Sequence, residues 1–303
     1  MKRMRIRLLT MLLAAAGILQ LGALGASAND PNTPTTQPSD ANAAKPKLDP
    51  AVAKILDGME SAGTYRTIRA NIVYQVYDRL EGTREIRKGT VYHAKGDPND
   101  PNATDRFAVH FNTLQRNKGP AIRERIRYAF DGKWFTIAKE RVKQIHRIQV
   151  ARGGQRVEPM RLGRGPFPLP FGQKTEDMVR FFELDTRDPK SSDPNGTSYI
   201  ELVTKPRYRR HVNFLKLEMW IDRRTNRPVK IVSHQGDPTK KKHWARRREL
   251  SRRDIIKRTT VTFDDVKTNV EIDKDLFRPE KKRGWKLIVK PLDKAQPDDL
   301  RAP

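Results

Sequence analysis

The stretch Tyr65-Arg-Thr-Ile-Arg-Ala-Asn-Ile-Val-Tyr-Gln-Val-Tyr77 decides the fold. Ile68, Ala70, Ile72, Tyr74 and Val76 alternate with Arg69, Asn71 and Gln75. That is the period of an extended strand with one buried and one wet face. Just before it, Val52, Ile55, Leu56 and Met59 fall at i, i+3, i+4 and i+7, a helical stripe. Asp49 can cap this helix, Pro50 suits its first turn and Gly63 can end it.

Beyond Tyr77, further strands are predicted at Ile86–His93, Arg106–Leu114, Arg123–Phe130, Trp134–Ala138 and Lys143–Val150. A later set follows at Ser198–Thr204, Phe214–Ile221, Val229–His234, Ile256–Phe263 and Trp285–Val289. Asp131-Gly132-Lys133 is a hairpin turn signal between two of them. About eleven strands in sequence order predict an α+β, mostly β fold built on a large antiparallel meander. A sheet this wide has to curl, pair with a second sheet or be covered by helices. Two segments interrupt the strands. Gly165–Phe171 is too proline-rich for a strand interior and leads into a short helix over Thr175–Phe182. The other is a very basic insert, Asp237–Asp254, around Lys240–Lys242 and Arg246–Arg248.

At the N-terminus, Lys2, Arg3, Arg5 and Arg7 precede an apolar run from Leu8 to Leu24, and Ala26-Ser27-Ala28 closes it. This is the layout of a secretory signal peptide cleaved after Ala28. Gln20 and the glycines count against a retained anchor, because a span needs about 20 mostly apolar residues. Residues 29–47 are polar and proline-rich and are expected to form a disordered leader, residues 48–292 one domain, and 293–303 a flexible tail. The expected location is the periplasm. The chain has no cysteine, so there are no disulfides and no lipid-accepting thiol at the cleavage site.

The formal charge of +26 would point to nucleic acid in a cytoplasmic protein. Export argues strongly against that partner and leaves anionic lipid head groups, lipopolysaccharide or an acidic protein as counter-charges, so no nucleic acid is expected. A merely solvated basic surface is the other interpretation.

No catalytic signature is present. Six histidines stand singly (His93, His110, His146, His211, His234 and His243), with no metal-ligand spacing. There is no G-x-S-x-G elbow, and Gly153-Gly154 is too short to cradle phosphate. Asp264-Asp265 are neighbours that point apart at a strand end or turn. The sequence therefore predicts a non-enzyme with no cofactor and no metal. A hydrolase would need a histidine and a carboxylate gathered in one pocket. What remains is apolar material. Leu215, Leu217, Met219 and Ile221 share one face of their strand, as do Ile72 and Tyr74. Phe167, Leu169, Phe171, Met178, Phe181 and Phe182 could cover them. Ordinary core packing accounts for the same pattern.

The order of these pieces resembles the periplasmic lipoprotein carriers, the LolA-like family. The resemblance is carried by Gly89-Thr-Val-Tyr-His-Ala-Lys95, Arg106-Phe-Ala-Val-His-Phe111 and Tyr128-Ala-Phe-Asp-Gly-Lys-Trp134. Leu202-Val-Thr-Lys-Pro206, Leu217-Glu-Met-Trp-Ile-Asp222, Arg227-Pro-Val-Lys230 and Thr262-Phe-Asp-Asp-Val-Lys-Thr-Asn269 continue it. It implies an open half β-barrel with a helical lid that shelters acyl chains of lipoproteins or lipids on their way to the outer membrane. It further implies that Leu215, Leu217, Met219, Ile221, Ile72 and Tyr74 line the acyl cavity, with the Phe167–Phe182 segment in the lid. Where that family has a latch arginine, this chain has Lys95, a point charge in place of a planar fork. Arg106, beyond the Asp97–Asp105 loop, is the substitute candidate. Partners would be lipidated proteins, a possible inner-membrane release complex and at most peripheral membrane contact. Relatives with the same half-barrel act as sensors that dock a protein, which makes a lipid-binding regulatory module with an acidic partner the alternative.

Overall fold

The computed structural model describes residues 48–97, 99–100, 103–151, 174–209, 214–237 and 251–292. The first element is a helix, α1 (Pro50–Ser61), whose N-cap Asp49 accepts a hydrogen bond from the Ala51 backbone N–H at 2.7 Å. Val52, Leu56 and Met59 are its buried stripe. The helix runs into one 3₁₀ turn, Ala62–Thr64, and its C-cap is Ala62 rather than Gly63. Gly63 does not take a positive φ, so it forms no left-handed cap.

A first arm of strands follows: β1 (Thr67–Asp78), β2 (Thr83–Ala94), β3 (Arg106–Arg116), β4 (Ile122–Phe130), β5 (Trp134–Lys139) and β6 (Gln144–Gln149). After α2 (Thr175–Phe181) comes a second arm: β7 (Phe182–Arg187), β8 (Thr197–Thr204), β9 (Lys216–Asp222), β10 (Pro228–Gly236) and β11 (Ile255–Thr268). The last strand is β12 (Lys286–Lys290). All twelve lie in one sheet of order β12-β6-β5-β4-β3-β2-β1-β11-β10-β9-β8-β7. Each arm is a local meander, and the two meet at the antiparallel β1–β11 seam, where Ile68 pairs with Thr268. The sheet is curved and unclosed, with β12 and β7 as its edges, an open half-barrel.

Three further sequence expectations need correction. β7 was not foreseen, and Phe182 begins this strand instead of ending the helix. β12 pairs parallel to β6, so the sheet is not a pure antiparallel meander. Asp264 and Asp265 sit inside β11, at an irregularity where Asp265 takes φ +50°, because the strand continues to Thr268. Gly89 lies within β2, opposite a register shift in β3. A Cβ there would fall 1.9 Å from the His110 carbonyl oxygen, so only glycine fits.

Pairing register carries the buried face across the strands. Tyr74 lies beside Val261, Val261 beside Ile231, Ile231 beside Met219, and Met219 beside Ile200, one apolar row over five strands. In the other arm Ile72 leads through Gly89 and Phe111 to Ile126. These side chains pack into one continuous core that includes the α1 stripe. The opposite, convex face is crossed by the segment 269–285, whose Phe277 ring sits on Ala94, Ala108 and Ala129. Three alanines make room there for one large ring.

Candidate functional site

The concave face is the candidate site, and its lining follows from strand alternation. Leu217, Met219 and Ile221 of β9 and Ile72 and Tyr74 of β1 all belong to the single buried cluster. Leu215 is also buried but precedes β9 and lies outside that cluster, held by backbone bonds to Thr204 and His234. Two helices cover this face among the described residues. From α2, Met178 is buried and Phe181 meets Tyr208 edge-on at 4.8 Å. Phe182 stacks on Phe214 with ring centroids 5.6 Å apart. Phe167, Leu169 and Phe171 lie outside the described residues.

The end of α1 is tied to the sheet by a polar group. Lys95 Nζ donates to the Gly63 carbonyl and sits 5.0 Å over the Tyr65 ring. Tyr65 Oη is 3.3 Å from His93 Nδ1, and His93 Nε2 is 3.2 Å from Asp105 Oδ2. Asp105 Oδ1 accepts from the Gly96 N–H at 3.0 Å. Burial works against ionising Asp105, but its bond to His93, the His93 charge, the Gly96 N–H and Lys95 together hold its carboxyl below the usual range. Of the two latch candidates, Lys95 therefore touches the helix end. Arg106 does not; its guanidinium lies 5.4 Å from the Phe277 ring on the convex side. Strand alternation sends its side chain away from the concave face.

Two ionic groups were missed from sequence. On the concave face Arg87, 4% exposed, donates to Glu124 Oε2 at 2.6 Å. Arg87 and Glu124 lie on non-adjacent strands and are joined only by the register of β2, β3 and β4. On the convex face Glu218 Oε2 is 2.6 Å from His234 Nε2, and the Tyr199 hydroxyl donates to Glu218 Oε1 at 2.9 Å. Burial would raise the Glu218 pKa, yet His234, Lys216 and Tyr199 bring it down to about 2.

The structure thus gathers histidine–carboxylate pairs, the feature a hydrolase would need. Their chemistry is poor for one. His93 is fully buried, and burial drives the Tyr65 hydroxyl well above the usual phenol range, so it is a weak acid and a weak nucleophile. Burial and two carboxylates push the Tyr199 hydroxyl the same way. Both pairs can orient a tautomer and brace a strand. Among the described residues no group of three histidines or carboxylates is placed to hold a metal ion. No described helix is long and apolar enough to cross a membrane.

No protein-family profile and no curated protein matches the chain. Solved structures do. An uncharacterized conserved protein from Thermus thermophilus aligns over 78% of this chain and 98% of its own, at 12% identity and TM-score 0.41. LprF from Mycobacterium bovis aligns over 74% and 96%, at 9% identity and TM-score 0.39. The similar structures include a LolA superfamily protein. That protein, from Nitrosomonas europaea, aligns over 74% and 96%, at 13% identity and TM-score 0.32. At such identities and scores, the sheet's own topology defines the fold.

Proposed function

We propose that the chain is a periplasmic carrier, exported by its N-terminal signal, that shelters acyl chains of lipoproteins or lipids against its concave face and hands them toward the outer membrane. The supporting observation is a mismatch of scale. Eleven strands, β1 to β11, spaced about 4.8 Å apart, bring buried apolar residues to a face roughly 50 Å across along its curve. Its longest described cover, the 12 residues of α1, spans only about 18 Å. Ordinary domains cover such a face with several long helices or a second sheet. Here the face curls onto itself, and α1 is fixed at its end by Lys95, so one short element has to move to admit a chain. Each methylene sheltered is worth about 0.8 kcal/mol, which makes a long acyl chain an adequate driving force. Leu217, Met219, Ile221, Ile72 and Tyr74 are the proposed lining, with Leu215 at its edge. Met178, Phe181 and Phe182 flank the cover, and no reaction is catalysed.

The test is release of lipidated protein. Purified chain, freed of lipid, is mixed with membranes bearing acylated lipoproteins and then separated from them. Lipoprotein in the soluble fraction, lost with Met219→Lys, is the expected result. No release by the unaltered chain, together with no displacement of a bound fatty-acyl fluorophore, overturns it.

A further inference from the structure

Of the six large apolar residues that are exposed among the described residues, all but Val289 gather at one end of the sheet. The six are Tyr77, Leu80, Ile122, Val142, Leu287 and Val289. Leu80, 67% exposed, lies in the β1–β2 turn, Ile122 at the β3–β4 turn and Val142 in the β5–β6 turn. Because β1 to β6 alternate in direction, these three turns emerge from the same end of the sheet. Tyr77 and Leu287 lie one residue inside that end, on β1 and β12. Successive turns are two strands apart, about 10 Å. The result is a row of apolar tips along one rim.

Two of the tips, Ile122 and Val142, are set among cations, whereas Leu80 lies between Arg79 and Glu81. Lys118 and Arg123 flank Ile122 with no carboxylate between 116 and 123, while Arg116 is paired with Glu85 at 2.9 Å. Lys139, Arg141 and Lys143 surround Val142 against Glu140 alone, and Glu140 is 3.5 Å from Arg125. The turns are also prearranged. Asp78 Oδ1 accepts the Leu80 and Glu81 N–H groups at 2.9 and 3.2 Å. Asn117 Oδ1 accepts the Arg84 N–H at 2.8 Å, and the Asn117 N–H returns to the Arg84 carbonyl at 2.7 Å. Backbone groups already paired within the protein tolerate loss of water.

We propose that this rim docks on an anionic lipid surface, with Leu80, Ile122 and Val142 entering the headgroup layer while Lys118, Arg141 and Lys143 meet lipid phosphates. Single apolar side chains on rigid turns, two of the three flanked by cations, match an interface that is apolar beneath and negative above. A protein groove would call for one contiguous apolar patch, whereas these tips are separated by charge. The proposal does not depend on what the concave face holds, and its test needs no acyl cargo.

The chain, purified as its host cell processes it, is sedimented with vesicles of phosphatidylethanolamine and phosphatidylglycerol or with phosphatidylcholine alone. Binding to the anionic vesicles only is expected, weakening steeply with salt. The triple variant Leu80→Ser, Ile122→Ser, Val142→Ser should bind at least about tenfold more weakly, and Lys118→Gln with Arg141→Gln and Lys143→Gln likewise. Arg223→Gln with Arg224→Gln, exposed at the opposite rim, should bind like the unaltered chain. Because every altered side chain is exposed, unchanged thermal unfolding checks the fold. If the unaltered chain ignores anionic vesicles, or the serine variant binds undiminished, the proposal fails and an acidic protein becomes the rim's occupant. An equal loss in the Arg223 and Arg224 variant overturns it too, since binding would then follow total charge.

Discussion

The two ends of the sheet are built on opposite terms. At the end that holds Lys95, the turns are fastened by buried or half-buried aspartates. Asp131 Oδ1 accepts the N–H groups of Lys133 and Trp134, and Asp222 Oδ1 those of Arg224 and Thr225. Asp193 accepts from Arg187, the Lys190 N–H and Trp220 Nε1, and Asp105 from Gly96 beside His93. At the other end the turns present Leu80, Ile122 and Val142, the last two among lysines and arginines. One end is held throughout by such aspartates, while at the other only the β1–β2 turn is fastened this way, by Asp78, and the tips offer apolar side chains to the surroundings. The same hairpin architecture therefore serves closure at one rim and contact at the other, and exposed apolar tips separate the two uses.

If that contrast is right, damage at the two rims should register in different measurements. The largest stability effect is expected from Asp105→Asn at the closed rim. It removes a charge-assisted bond from fully buried His93 and should cost about 2 kcal/mol in urea unfolding, with vesicle binding unchanged. Equal losses in both measurements would break the distinction between the rims.

The segment that crosses the convex face from Asn269 to Lys286 joins the two ends, and His110 lies beneath it. Burial, then the charge of Arg127, lowers the His110 pKa to about 4 from its ordinary 6.5. The unfolded chain therefore binds a proton that the folded chain refuses between those values. Stability should fall as pH drops from about 6.5 to 4, by on the order of 2 kcal/mol from this group. Glu218, held at about 2, adds a second loss only below its ordinary 4.5. Urea midpoints at pH 7 and pH 5 should differ in the unaltered chain and converge in His110→Leu. If the difference persists, the crossing segment is not the sensitive element.

The smallest of these effects belongs to the tie on α1. Lys95→Met should cost about 1 kcal/mol and speed uptake of a fatty-acyl fluorophore in stopped-flow mixing. Slower or unchanged uptake would show that α1 does not gate the concave face.

Much of the sheet was legible because its strands are long and half buried. The alternation in Tyr65–Tyr77 gave β1, and Asp131-Gly132-Lys133 gave the β4–β5 hairpin, with Gly132 at φ +104°. β7 escaped notice because it is a short edge strand that starts at the last turn of a helix, with no turn residue between. The parallel docking of β12 and the meeting of Arg87 with Glu124 depend on which strands become neighbours, and no local pattern carries that. The apolar rim was invisible for the same reason. Leu80, Ile122 and Val142 each look like a lone apolar residue in a polar turn until the topology aligns them. The family resemblance led to Lys95 as a latch position, and the structure puts its amine on the helix end. It also led to Arg106, which faces the wrong side.

The β1–β11 seam carries a consequence for how the chain is made. Arg66 and Asn269, 203 residues apart, exchange contacts at its end. Each arm can zip up from neighbouring strands, but closing so large a loop comes late and slowly. Until β11 has emerged, β1 presents an unpaired edge with a full apolar face, an open invitation to self-association. A chain delivered N-terminus first must keep that edge waiting for most of its own length. Its yield in the cell should therefore track the supply of holdase chaperones more closely than it tracks equilibrium stability.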